Sequence, residues 1–147
     1  MPQKVIFLDV DGVMNHHDTI TDAERGFVSW LDPKNVAVLN EVVRATGAVV
    51  VISSGWRWSM PFGELRAAFA EAGCVAEVID VTPDIDGHRR GREILAWIAA
   101  QAEAPACYLA LDDEHEMPEL GGRALKIDPS EGLSLTVLPR VLALLEG

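Results

Sequence analysis

The apolar residues of this chain fall into two kinds of run, and the alternation between them predicts the fold. Lys4-Val5-Ile6-Phe7-Leu8-Asp9 is a continuous apolar stretch ending in an acid, the pattern of a strand buried on both faces. A polar segment runs from Asn15 to Trp30. Asp32-Pro33 then opens a helix, with Asp as N-cap and Pro at the first helical position. Val36, Leu39, Val42 and Val43 recur at helical spacing, and Gly47 marks the stop. Ala48 to Ser53 is a second buried strand. Pro61 opens a second helix, with Leu65, Ala68, Phe69 and Ala72 on one face and Gly73 at its end. A weaker strand runs through Val75 to Val81. Gly91 to Ala102 reads as a helix with Ile94, Leu95, Trp97 and Ile98 inside. Ala106 to Leu111 is a third core strand, ending at Asp112-Asp113. Arg123 to Ile127 is an edge-like strand, and Leu135 to Leu145 a closing helix.

Short β-branched runs alternating with helices predict an α/β, Rossmann-like three-layer sandwich around a mainly parallel sheet. Three of its strands end in polar groups: Asp9 with Asp11, Ser53, and Asp112 with Asp113. Ligands bind at that C-terminal edge in open parallel sheets.

Composition narrows the picture. The chain has 147 residues, the size of one domain, 1–147, with a single core. No apolar run approaches the roughly 20 residues of a membrane span. The opening Met1-Pro2-Gln3-Lys4 is too short and too quickly acidic for a signal peptide, so a cytoplasmic location is expected. Cys74 and Cys107 sit among apolar residues outside any CxxC pair and read as reduced core thiols. A net charge of −11 repels phosphate backbones, so extensive nucleic-acid binding is not expected. One phosphate group in a local basic pocket remains compatible with it.

Asp9-Val10-Asp11-Gly12-Val13 carries the candidate chemistry. Two carboxylates two residues apart at a strand end can face one cavity, and further acids beside them demand a cation. Magnesium suits such a site, because it prefers oxygen ligands and keeps positions open for phosphate.

These residues resemble the haloacid dehalogenase (HAD) superfamily. Asp9-Val10-Asp11-Gly12-Val13 matches its first motif, Val49-Val50-Val51-Ile52-Ser53-Ser54-Gly55 its second, and Leu109-Ala110-Leu111-Asp112-Asp113 its fourth. Arg89-Arg90-Gly91-Arg92-Glu93 supplies the cation of the third, all in the right order. More narrowly, the set looks like the small HAD domains of RNA-repair proteins. Ser53-Ser54-Gly55-Trp56-Arg57 is also similar to the second motif of polynucleotide kinase-phosphatases.

The resemblance implies a phosphatase in which Asp9 attacks phosphorus, Asp11 moves the leaving-group and water protons, and Ser53 donates to phosphate. Arg90, with Arg92 as second choice, supplies the cation; Gly12, Ser54 and Arg57 stand near the phosphate. The acids around Mg2+ are Asp9, Asp11, Asp112 and Asp113, Asp113 either on the metal or one layer behind it, with the Val10 carbonyl as a further ligand. The substrate implied is phosphorylated, a small molecule or a nucleic acid end. Residues 15–30 and 59–89 are too short for a full cap domain, which implies an open site.

Trp30, Trp56 and Trp58 flank these motifs and either stack a base or sugar or simply pack, whereas Trp97 belongs to the core. His16 and His17 lie past the first motif without a third metal ligand; His88 and His115 have no assigned role. Asp112 to Glu116 reads as half site and half solvated helix start. Two rivals stand beside the phosphatase. A phospho-accepting receiver domain pairs its acids on the first strand, the reverse of this order. A non-catalytic domain that binds a phosphorylated ligand or protein partner is the other.

Overall fold

The computed structural model describes residues 3–85, 87, 89–114 and 117–146. His88, His115 and Glu116, singled out in the sequence, lie outside the described residues. Five strands form one parallel sheet: β1 (Lys4–Leu8), β2 (Val49–Ile52), β3 (Val78–Val81), β4 (Cys107–Asp112) and β5 (Ala124–Lys126), in the order β3-β2-β1-β4-β5. The helices are α1 (Pro33–Thr46), α2 (Trp56–Ser59), α3 (Phe62–Glu71), α4 (Arg90–Ala100) and α5 (Leu138–Glu146). Short 3-10 turns occupy Gly26–Trp30 and Pro118–Leu120.

The sheet is buried on both faces, which is why its central strands read as unbroken apolar runs. On one face Ile6, Leu8, Val50, Ile52, Leu109 and Leu111 pack against α1, α3 and α5. On the other, Val5, Phe7, Val49, Val51 and Ala110 pack against α4 and the Pro118–Leu120 turn. Trp97 belongs to this second layer and meets Phe7 edge-on at 5.5 Å between ring centroids. Asp32 caps α1 by accepting from the Lys34 N–H at 2.9 Å, and Gly47 ends it in the left-handed region at φ 72°.

Several boundaries differ from the sequence reading. The strand sought in Val75 to Val81 is confined to its last four residues. Leu95, expected inside, is exposed on α4, because the buried stripe of that helix runs through Ile94 and Trp97. The closing helix begins at Leu138, three residues later than expected, and Leu135 is exposed. Helix α2, a single turn, has no apolar periodicity to announce it in the sequence. Among the described residues no helix is long and apolar enough to cross a membrane.

The strand order sets the site. From β1 the chain winds one way through β2 and β3, then returns to place β4 on the other side of β1. The crevice at such a reversal, beyond the carboxyl ends of the strands, is where α/β sheets bind ligands. Asp9 follows β1 and Asp112 ends β4, so the two acids flank that reversal.

Candidate active site

The β1 ladder continues one residue past the strand, with the Asp9 N–H donating to the Leu111 carbonyl at 3.1 Å. The Ser53 N–H likewise donates to the Leu8 carbonyl at 2.9 Å. Asp9, Ser53 and Asp112 are thereby fixed by backbone bonds at one edge, and all three are buried.

Beyond Asp9 the chain turns tightly. Gly12 has φ 82°, and a Cβ there would collide with the Asp113 carboxylate, so glycine lets the 112–114 loop close onto the first motif. The Val10 carbonyl, expected to face a metal, instead accepts from the N–H groups of Val13 and Met14 at 3.1 and 2.8 Å. Both its lone pairs are used by the turn. The Gly12 N–H, expected near phosphate, is likewise engaged: it donates to Asn15 Oδ1 at 2.8 Å.

Arg90 opens α4, where positive charge opposes the helix dipole. Two carboxylates hold it there. Its Nη1 lies 3.1 Å from Asp9 Oδ1 and 3.3 Å from Asp112 Oδ2. Arg92 is exposed on the same helix, so geometry separates the two arginines that sequence left as first and second choice.

Asp9, Asp112 and Asp113 each offer an oxygen within 4.8 Å of the others. Burial, and then the charge of Asp112, push the Asp9 carboxyl up to about 7 against the opposing pull of Arg90. Asp113 is raised as well, by desolvation first and then by Asp112 and Glu114. One guanidinium therefore does not offset three converging carboxylates. A hard divalent cation fits this all-oxygen set. Asp11, counted among the metal acids from sequence, stands apart from the cluster. Its carboxylate takes the Trp56 Nε1–H at 3.1 Å and the Asn15 Nδ2–H at 3.2 Å.

The cluster opens into a cleft of about 410 Å³ lined by Asp9, Asp11, Ser54, Gly55, Trp56, Ser59, Arg90, Asp113 and Glu114. Ser53 lies just beneath: its Oγ is buried with no hydrogen-bond partner. Leaving a hydroxyl so costs about 1–3 kcal/mol, which favours a ligand that supplies the missing acceptor.

Arg57 does not join this cleft. Its guanidinium is almost wholly buried and donates to the Ser53 carbonyl at 2.8 Å, to Thr82 Oγ1 at 3.1 Å and to Glu93 Oε2 at 2.8 Å. The expected phosphate contact is replaced by a buried ion pair that ties α2 to α4. Among the tryptophans, Trp56 lines the cleft and packs on Phe27 and Trp30, at centroid distances of 4.0 and 6.0 Å. Trp58 is exposed, with the Arg57 guanidinium 4.6 Å from its ring centre. His16 turns to Asn35, with Nδ1 3.0 Å from Oδ1, and His17 is exposed. Cys74 and Cys107 are free thiols, and burial pushes that of Cys74 up to about 12, so it stays protonated.

With this geometry in place, comparison with known families is decisive. The model of the HAD domain in Swiss Army Knife RNA repair proteins matches residues 5–137. The chain belongs to that family. Neither the curated proteins nor the solved structures yield a match. The HAD assignment agrees with the five-stranded parallel sheet and with the order of the four motifs. It also brings a general expectation of phosphatase-type hydrolase chemistry, to which the acidic cluster of this HAD domain conforms. Sequence reasoning gave no role to Asn15 or Glu93, and none to Trp56 as a hydrogen-bond donor. A buried acid beside the apolar stripe of α4 was the available signal for Glu93.

Proposed function

We propose that this HAD domain is a magnesium-dependent phosphomonoesterase that works through an aspartyl-phosphate on Asp9, with a nucleotide or a nucleic acid end as substrate. The observation that carries the reading is the placement of Arg90 across Asp9 and Asp112, beside three converging carboxylates at the sheet reversal. Magnesium, held by Asp9, Asp112 and Asp113, supplies the positive charge that the transferring phosphoryl group requires.

In the first displacement an Asp9 oxygen bonds to phosphorus as the bond to the ester oxygen breaks, and Asp11 gives its proton to that departing oxygen. In the second, a water oxygen bonds to phosphorus, its proton passes to Asp11, and the Asp9–phosphorus bond breaks. Arg90 keeps the carboxylates apart and faces the transferring charge. The orphaned Ser53 hydroxyl donates to a phosphate oxygen.

The test is phosphate release from an aryl phosphate and from 5′- and 3′-phosphorylated oligonucleotides, with magnesium or EDTA. Turnover that requires magnesium, and that favours one oligonucleotide end, is expected. Equal turnover in EDTA would refute the metal-dependent reading.

A further inference from the structure

The first and second HAD motifs are joined by a bond that neither motif requires, between the Trp56 indole N–H and the Asp11 carboxylate. Asp11 is exposed, and a carboxylate on a strand-end loop is free to rotate away from any substrate. Here both its oxygens are held. Trp56 donates to Oδ2, and Asn15 donates to Oδ1. Asn15 is itself fixed: it is buried, its Nδ2 also donates to the Trp30 carbonyl at 3.0 Å, and its Oδ1 accepts from the Gly12 N–H. Trp56 is fixed by its ring, which sits on Phe27 and Trp30 from the 3-10 turn of residues 26–30.

We infer that Trp56 and Asn15 are positioning residues for Asp11, and that residues 15–30 serve as the frame that aims it. This rests on the reading of Asp11 as the proton donor and acceptor. Each carboxylate oxygen has a second lone pair, so two donors hold the group while leaving room for the proton it transfers. The arrangement makes a specific demand on substrates. In the first displacement an ester whose leaving oxygen needs a proton depends on the aim of Asp11, and one with a stable leaving anion does not.

The experiment compares benzyl phosphate with 4-nitrophenyl phosphate, two ring-bearing esters that differ in how much protonation their leaving oxygen needs. In Trp56→Phe the ring and its packing remain and only the N–H is lost. The kcat/KM for benzyl phosphate, which reports only the steps up to departure of the leaving group, should fall about 30-fold and that for 4-nitrophenyl phosphate less than about 3-fold. In an Asp11→Asn background Trp56→Phe should add almost nothing, since the two act as one unit. Equal losses on both esters, or additive losses in the double variant, would overturn the positioning role while leaving the phosphatase reading intact. The indole ¹H–¹⁵N resonance of Trp56 gives a readout that needs no turnover. It should shift in Asp11→Asn, and a resonance that stays in place overturns the contact itself. A shift in a protein that releases phosphate from neither ester nor the 5′- and 3′-phosphorylated oligonucleotides would instead sink the phosphatase reading, and the positioning role with it.

Discussion

Asp9→Asn is expected to reduce phosphate release to background while making the metal-free protein more stable at neutral pH. The first effect follows from loss of the nucleophile, since an amide oxygen does not form the acyl-phosphate. The second follows from the pKa of Asp9, raised from 3.8 to about 7 by burial and by Asp112. A carboxyl raised on folding binds more protons in the folded than in the unfolded state throughout that window. Stability therefore falls as pH rises from about 4 to 7, and the full penalty, on the order of a few kcal/mol, is present above it. Asparagine removes that penalty. In EDTA the melting temperature of Asp9→Asn should exceed that of the unaltered chain by an amount that grows between pH 4 and pH 7. Magnesium should close the gap by stabilising the unaltered chain at neutral pH. A gap that is constant across this range, or that shrinks, would show that Asp9 is not the strained group.

The largest loss of stability is expected at Arg57 and Glu93. Their side chains are only 2% and 1% exposed, and removal of either leaves its partner charged and buried. Breaking such a pair costs about 3–5 kcal/mol, and at about 2–4 °C per kcal/mol for a domain of this size the melting temperature drops by roughly 6–20 °C. Arg57→Ala and Glu93→Ala should each show this in urea or thermal unfolding. The double variant Arg57→Met/Glu93→Leu, which fills the space and leaves no orphan charge, should lose less than either single change. Single variants within about 1 kcal/mol of the unaltered chain would contradict the buried-pair account. The pair also bears on the site. Glu93 stands one turn after Arg90, and Arg57 grips the Ser53 carbonyl, so the clamp sets the distance between the second and third motifs.

What the sequence disclosed and what it hid follow one physical division. Buried parallel strands announce themselves as apolar runs, so β1, β2 and β4 and the acids at their ends were legible. The cap of α1 was legible too, because Asp32 and Pro33 act within a single turn. Helix α2 was not, since Trp56–Ser59 is set by tertiary packing rather than by periodicity. Arg57 was misplaced for the same reason. Its proximity to the second motif suggested phosphate, whereas its partner stands 36 residues later, and only the folded chain brings them together. The choice between Arg90 and Arg92 likewise needed the helix, which turns one toward the acids and the other to solvent. The Val10 carbonyl shows the limit of transferring a role by motif, because the turn that brings Gly12 against Asp113 consumes it.

The most direct measurement is acid-quenched mass mapping of the phosphoenzyme during turnover of 4-nitrophenyl phosphate with magnesium. One phosphoryl group on the peptide that contains Asp9, absent in Asp9→Asn and in EDTA, is the result expected. Turnover with no covalent phosphate, or with phosphate mapped to Asp11, Asp112 or Asp113 instead, would contradict the assignment of Asp9 as nucleophile.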